Sequence, residues 1–176
     1  LNTASPYDPQ MIDGTAYPDP MTTYLNDLDS NYVILNESVV EDTTQGKMTT
    51  IMKFNTLQSV PDQELRVYAK TGAAGGVAPQ EVFYLWFSID GSYFVPVLTI
   101  SGTNWAYYNY TLPQSAMGKV VYLKFTDSIS TTSSSSVQDI LYIDHVAVYT
   151  GTFGGFGAQQ VYSDTSYTTV RAGSVD

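Results

Sequence analysis

Hydrophobic and polar residues alternate along most of the chain with the two-residue period of a β-strand. In the segment EVFYLWFSI the side chains of Phe83, Leu85 and Phe87 share one face, and the segment KVVYLKFTD repeats the pattern with Val121 and Leu123. No segment shows a convincing 3.6-residue period of an amphipathic helix. The pattern therefore predicts an all-β protein.

Eight segments with the composition of strands follow one another between residues 32 and 150. Each is short, rich in β-branched or aromatic residues, and bounded by Gly, Pro, Asn, Asp or Ser. The segments are YVILNESVV, KMTTIMKFN, ELRVYAK, EVFYLWFSI, YFVPVLTI, AYYNYTL, KVVYLKFTD and ILYIDHVAVY. Asp90 and Gly91 separate the fourth from the fifth and predict a two-residue hairpin turn. The regular spacing predicts a two-sheet antiparallel sandwich of the jelly-roll type.

Composition divides the chain into three parts. Residues 1–30 contain four prolines and predict an irregular N-terminal arm with one short strand. Residues 31–150 form the predicted jelly-roll β-sandwich. Residues 151–176 begin with the glycine-rich hinge GTFGGFG and continue into a polar segment rich in β-forming residues. We therefore expect one domain with a C-terminal extension strand.

Composition and charge argue against several classes of function. The chain has 176 residues and a formal net charge of -10, and its seven Lys and Arg residues are not clustered, so nucleic acid is not an expected partner. The absence of cysteine excludes disulfides, thiolate zinc sites and thiol nucleophiles. No apolar run approaches the roughly 18 residues of a membrane span. A charged fraction of only 14%, with many Ser, Thr, Asn and Tyr residues, is typical of an extracellular or cell-surface β protein.

Residue types suited to catalysis are sparse. Hydrolysis of a glycoside needs two carboxylates that face one substrate. None of the four glutamates lies in an aromatic-rich motif that marks it for this role: Glu37, Glu41, Glu64 and Glu81. The single histidine, His145, lies on a predicted core strand, where a structural role is more common than a role in a Ser-His-Asp triad. We therefore expect no enzymatic activity and assign no catalytic residue.

The order of four segments resembles the second half of jelly-roll modules of the carbohydrate-binding and galactose-binding type. FSIDGSYFVPV, WAYYNYTL, KVVYLKF and YIDHVAVY follow one another within residues 80–150. In such modules a strand ending in Ser-x-Asp-Gly precedes a Trp-led strand, a strand ending in Lys-Phe, and a closing strand with Ile-Asp-x-Val. The resemblance implies an accessory domain of a secreted or surface protein. It also implies that Asp144 helps to hold a structural calcium, although His145 stands where many members have Asp.

A second signal for calcium comes from the segment NDLDSN. Asp27, Asp29 and Asn31 have the D-x-D-x-N spacing of the first part of a calcium loop. Tyr32 stands where an EF-hand requires glycine, which excludes that motif. A non-helical calcium site can still combine these residues with the distant Asp144. The alternative is a turn rich in Asp and Asn whose carboxylates are solvated.

Aromatic residues supply a second candidate for binding. Trp105, Tyr107 and Tyr108 in NWAYYNY, together with Trp86 in FYLWF, offer rings that can stack on the faces of sugar rings. Alternation along a strand places half of such rings away from the core. Either these rings bind polysaccharide, or a neighbouring subunit or the N-terminal arm covers them, because exposed aromatic patches this large seldom stay uncovered.

The C-terminal segment suggests a structural role. An isolated strand is not stable in water, so residues 159–172 must add to a sheet edge, either in their own domain or in a neighbouring copy. The assembly residues predicted there are Val161, Tyr162, Tyr167 and Val170. Strand donation that does not close on itself produces a filament of identical copies. The leading hypothesis from sequence is thus a secreted filament or surface-layer subunit, with calcium as a candidate stabilising ion, and the alternative is a carbohydrate-binding module.

Two sequons also occur in the sequence. Asn36 and Asn109 begin the triplets Asn-Glu-Ser and Asn-Tyr-Thr. They predict glycosylation only if the protein is secreted by a cell that glycosylates.

Overall fold

The computed structural model describes residues 2–18, 20–25, 28–39, 46–57, 62–76, 78–79, 81–128 and 138–150. Most of these residues lie in strands. In chain order the strands are β1 (Asn2–Ala4), β2 (Tyr7–Asp13), β3 (Thr15–Tyr17), β4 (Val33–Asn36), β5 (Ser38–Val39), β6 (Gly46–Lys47), β7 (Thr49–Asn55), β8 (Gln63–Ala73), β9 (Phe83–Ser88), β10 (Val95–Ile100), β11 (Ala106–Thr111), β12 (Val120–Asp127) and β13 (Asp139–Thr150). A short helix, α1 (Thr22–Leu25), lies between β3 and β4, and no helix among these residues is long and apolar enough to cross a membrane.

Two antiparallel sheets face each other across the core. Sheet A has the strand order β11-β8-β13-β4-β3, with β1 paired to one end of β13, and sheet B has the order β10-β9-β12-β7-β2. The short strands β5 and β6 pair with each other. All eight segments predicted from alternation contain strands. The predicted all-β fold, a two-sheet antiparallel jelly-roll sandwich, is confirmed.

The space between the sheets is filled by side chains from one phase of each strand. In β8 the buried residues Leu65, Val67 and Ala69 face the core, and in β12 Leu123 and Phe125 do the same. Burying one Leu or Phe side chain completely contributes about 1.5–3 kcal/mol. This alternation therefore holds the two sheets together, and it leaves the opposite phase of each strand on an outer face.

The central pair of sheet A contains a register shift that moves one residue out of the ladder. β8 and β13 pair with Ile143 opposite Ala69 and His145 opposite Tyr68, so no residue of β8 lies opposite Asp144 in the ladder. One extra residue in a strand is a β-bulge, which bends the strand and shifts the alternation of its side chains. As a result His145 lies on the outer face.

The N-terminal residues differ from the irregular arm expected for residues 1–30. β1 pairs with β13, β2 pairs with β7 at one edge of sheet B, and β3 pairs with β4 at one edge of sheet A. The prolines that suggested irregular structure do not prevent this. Pro9 lies within β2, and an edge strand tolerates proline because one side of it needs no ladder hydrogen bonds. The sandwich thus begins near Asn2 rather than at residue 31.

The predicted hairpin joins β9 to β10, which pair antiparallel. The connection covers residues 89–94 and is longer than the two residues expected. The Asp90 carboxylate accepts hydrogen bonds from the backbone N–H groups of Ser92 and Tyr93, at 2.8 and 2.9 Å. Gly91 has a φ of 75°, a conformation that favours glycine. The Asp-Gly pair therefore organises the turn without closing it in two residues.

Candidate functional site

The outer face of sheet A carries a continuous row of aromatic rings. We call Tyr142, Tyr32, Trp105, Tyr68 and Tyr107 the aromatic row. The ring centroids of Tyr68 and Trp105 are 5.3 Å apart with nearly parallel planes, and those of Tyr68 and Tyr107 are 4.5 Å apart. Tyr32 links Trp105 to Tyr142, with its centroid 5.5 Å from that of Trp105 and 5.6 Å from that of Tyr142. Such distances are typical of favourable aromatic pairs.

Strand pairing explains why these rings meet. Tyr107 of β11 lies directly opposite Tyr68 of β8, and Tyr142 of β13 lies opposite Lys70 of β8. All four occupy the outward phase of their strands. Residues directly opposite each other in adjacent strands have their Cβ atoms about 4.5–5.5 Å apart, so bulky side chains at these positions must touch.

Lys70 brings a positive charge into the row. Its Nζ atom lies 5.0 Å from the ring centroid of Trp105 and 5.1 Å from that of Tyr142. A cation within about 6 Å of a ring centroid is attracted by the electron-rich face of the ring. The ammonium group is thus held between two rings, where it can also donate hydrogen bonds to a ligand.

An open groove of about 440 Å³ lies beside the row. Tyr32, Tyr142, Lys70 and Thr103 line it, together with the backbone around Gly72. A Cβ atom at Gly72 would lie only 2.8 Å from Cε2 of Tyr142, so this glycine allows the ring to lie against bare backbone. Tyr32 remains 37% exposed. The groove therefore combines ring surface with an ammonium group and a hydroxyl group.

The other end of the same face is closed. Arg66 is 1% exposed, and its Nε lies 2.6 Å from the Glu64 carboxylate. The guanidinium group also lies 4.6 Å from the ring centroid of Tyr149, whose hydroxyl is 2.8 Å from Nε2 of His145. Burial raises the pKa of the Tyr149 hydroxyl. His145, itself buried, thus contacts the half-buried Tyr149 in this cluster, and its structural role stays a prediction.

The structure places the four predicted sugar-binding residues in three different environments. Trp105 and Tyr107 lie in the aromatic row. Tyr108 faces the core side, where its hydroxyl accepts a hydrogen bond from the Gly102 N–H at 3.2 Å. Trp86 lies on the outer face of sheet B, and its Nε1 donates to the Thr126 hydroxyl at 2.9 Å. Only two of the four are therefore brought together.

The sequence interpretation missed Tyr32, Tyr68, Lys70 and Tyr142. These residues are separated by up to 110 positions, and no local motif connects them. The signal that could have found them is their outward phase on strands whose inward phase is apolar. Which strands are neighbours cannot be read from that phase alone.

The predicted calcium residues are partly brought together. The Asp29 carboxylate accepts hydrogen bonds from the backbone N–H of Asn31 at 3.0 Å and from its side-chain amide at 2.8 Å, which lower the pKa of Asp29. These bonds form the turn that was the alternative to a calcium site. Asp144 is buried, and burial, reinforced by the charge of Asp29, raises the pKa of Asp144 to about 6. Asp27 lies outside the described residues, so calcium at this place stays a prediction.

The remaining predicted residues can be located only in part. Asn36 is half-buried at the end of β4, and Asn109 is exposed on β11. Glycosylation of either residue stays a prediction. The assembly residues Val161, Tyr162, Tyr167 and Val170 lie outside the described residues.

No protein-family model matches the chain, and no curated protein sequence does. Solved structures with a similar fold include TmCBM61 in complex with β-1,4-galactotriose, with a TM-score of 0.45, 8% identity, and coverage of 84% of this chain and 87% of that one. A CBM32-3 module from a family 31 glycoside hydrolase of Clostridium perfringens has a TM-score of 0.43, 11% identity, and coverage of 84% and 91%.

The K1 cleaved adhesin domain of Lys-gingipain from Porphyromonas gingivalis has a TM-score of 0.45, 13% identity, and coverage of 86% of this chain and 95% of that one. At these identities the similarity concerns the general sandwich architecture. We draw no functional conclusion from it.

Proposed function

We propose that this chain is a carbohydrate-binding module and that the aromatic row and its groove form the binding face. The observation that carries the proposal is the position of Lys70 between Trp105 and Tyr142, at the side of a groove that exposes Tyr32. Ligand sites combine apolar or aromatic walls with a few polar groups that fix orientation. A sugar ring needs this combination, because its C–H faces are apolar and its edge carries hydroxyl groups.

The dimensions of the groove agree with this function. Its volume of about 440 Å³ lies in the range of small-molecule sites, about 300–1,000 Å³. The rings of the row already pack against one another, so little side-chain entropy is lost when a ligand binds. A secreted or cell-surface location, where polysaccharides are met, is part of the same proposal.

Binding measurements on variants test the proposal. We expect Trp105→Ala and Tyr32→Ala to weaken the affinity for a polysaccharide that binds the wild-type chain by roughly 10-fold or more, the effect of losing about 1.4 kcal/mol of binding energy. Tyr93→Ala is the matched control, because Tyr93 is 75% exposed and precedes β10 of sheet B. Isothermal titration calorimetry with neutral and with uronate-containing polysaccharides gives the dissociation constants of the wild type and the variants. Equal losses in all three variants would contradict this location of the site.

Filament formation through strand exchange is the second candidate and stays a hypothesis from sequence. It depends on residues 151–176, which lie outside the described residues. A donated strand would have to add to an edge of either sheet, and the described sheets end at β11, β3, β10 and β2. Deleting residues 151–176 should leave a folded monomer if the hypothesis is correct. Polymers of the truncated chain in electron micrographs would refute it.

A further inference from the structure

Four acidic side chains meet at one end of the core. Glu37 directly follows β4, and Asp139 begins β13, both in sheet A. Glu81 lies two residues before β9, and Asp127 ends β12, both in sheet B. Each continues the inward phase of its strand, so each stands where the alternation would otherwise place another core residue. Carboxylates from both sheets therefore converge where the apolar core ends.

Three of these carboxylates are close enough to share one ligand. One oxygen from each of Glu37, Glu81 and Asp127 lies within 4.8 Å of the other two. Oxygens bound to one calcium ion at 2.3–2.6 Å can be separated by at most about 5 Å. The three oxygens can thus occupy the surface of a single coordination sphere.

Two of the three side chains are buried and have unpartnered oxygens. Glu37 is 5% exposed and Asp127 is 2% exposed. Among the residues that the structure describes, none provides a hydrogen-bond partner for Oε1 of Glu37 or for either carboxylate oxygen of Asp127. Buried polar groups are nearly always hydrogen-bonded, and leaving one unpaired costs free energy. Glu37 and Asp127 therefore each have at least one oxygen available to a cation.

Within the described part of the chain, the positive charge near the cluster is shared with another carboxylate. Lys47 is the cation that acts on Asp127, but its Nζ lies 3.0 Å from the Asp13 carboxylate. Burial, together with the negative charges of Glu81, Asp127 and Asp139, raises the pKa of Glu37 to about 7. Burial likewise raises the pKa of Asp127 to about 6. A buried charge without a compensating partner is costly in free energy. These carboxylates therefore need either protons or a bound cation.

Gly46 makes room for the cluster. A Cβ atom at this position would overlap Oε2 of Glu37, so only glycine lets the carboxylate fold back against β6. The backbone N–H of Asp139 donates to the same Oε2 at 3.0 Å. The Glu37 side chain is thereby fixed in position before any ligand arrives.

We propose that Glu37, Glu81 and Asp127 bind a divalent cation, with calcium as the expected ion, and that this ion joins sheet A to sheet B. Carboxylate oxygens are the ligands that hard cations prefer, and calcium accepts irregular geometry more readily than magnesium does. The site contains neither Asp29 nor Asp144, the described acidic residues of the place that the sequence had suggested. It also shares no residue with the lining of the proposed sugar-binding groove.

Calcium titration of the full chain tests the proposal. After treatment with a chelator, calorimetry with calcium chloride alone should show binding. Thermal unfolding should show a rise in Tm of roughly 5–10 °C when free calcium exceeds the Kd about 100-fold. Neither binding nor a rise in Tm at millimolar calcium would overturn the proposal.

Variants separate this site from other acidic places. Glu37→Gln and Asp127→Asn should each weaken calcium binding at least about 10-fold. In chelator both should unfold at the same temperature as the wild type or higher, because each removes an uncompensated charge. Asp62→Asn, at an exposed position, is the control of equal charge and should bind as the wild type does. The proposal fails if Asp144→Asn abolishes binding while Glu37→Gln and Asp127→Asn retain it.

Discussion

Glu37 and Asp139, which are 102 positions apart, are joined by a backbone-to-side-chain hydrogen bond and by a longer backbone contact. The backbone N–H of Asp139 donates to Oε2 of Glu37 at 3.0 Å, and the N–H of Glu37 makes a longer contact of 3.5 Å with the Asp139 carbonyl. The Asp139 carboxylate in turn accepts a hydrogen bond from the Glu81 N–H at 2.7 Å. This chain of contacts links β4, β13 and the approach to β9, and it places carboxylates of both sheets side by side.

The raised pKa values of the acidic cluster predict a dependence of stability on pH. The folded pKa values of Glu37, about 7, and Asp127, about 6, exceed the usual values of 4.5 and 3.8. Their protonation therefore contributes stability that is fully present below about pH 4 and is lost as the pH rises through 6 and 7. In chelator, Tm should fall between pH 5 and pH 8.

The pKa of Asp144 is also raised to about 6, so Asp144 contributes to the same fall in Tm. The double variant Glu37→Gln with Asp127→Asn removes only the contribution of the acidic cluster and so isolates it. We expect a shallower fall of Tm with pH for the double variant than for the wild type in thermal unfolding followed by circular dichroism. Identical pH profiles would show that the cluster does not titrate in this range.

The buried ion pair of Arg66 and Glu64 predicts a large loss of stability on substitution. Arg66→Met should lower the free energy of unfolding by about 3–5 kcal/mol, because it leaves the poorly exposed Glu64 carboxylate without its partner. Lys53→Met removes the partner of Asp8 at the surface and should have a much smaller effect. Urea unfolding measures both, and similar losses for the two variants would contradict this difference in burial.

The substitution Gly72→Ala should reduce polysaccharide binding and preserve the fold. The Cβ atom added by Gly72→Ala would press on the Tyr142 ring at 2.8 Å and displace it from the wall of the groove. We expect weaker polysaccharide binding with a change in Tm of only a few degrees, because Gly72 lies outside the core cluster. Unchanged affinity in calorimetry would show that Tyr142 does not contribute to the binding face.

Alternation in the sequence was sufficient to predict the sandwich, because an inward apolar phase such as Leu65, Val67 and Ala69 requires a second sheet to cover it. It was not sufficient at the N-terminus. Prolines such as Pro9 in β2 are compatible with an edge strand, and sequence alone does not say which strands lie at an edge.

The candidate sites were predicted less completely than the fold. Trp105 and Tyr107 were identified as rings in one segment, but Tyr32, just before β4, and Tyr142 of β13 come from segments that become their neighbours only on folding. Asp127 was missed for the same reason. Its inward position is visible from the alternation in KVVYLKFTD, but the sequence does not show that four strand ends converge there. Local patterns report phase, whereas sites depend on long-range pairing.

The fluorescence of Trp105 tests the central claim most directly. Trp86→Phe leaves Trp105 as the single tryptophan of the chain, because the sequence contains two. A carbohydrate that binds the aromatic row should change the emission of this variant in a saturable way, and Trp105→Phe, which retains Trp86 on sheet B, should show no change with the same carbohydrate. A saturable change confined to Trp105→Phe, or no change in either variant with any polysaccharide tested, would contradict the assignment of the aromatic row as a sugar-binding face.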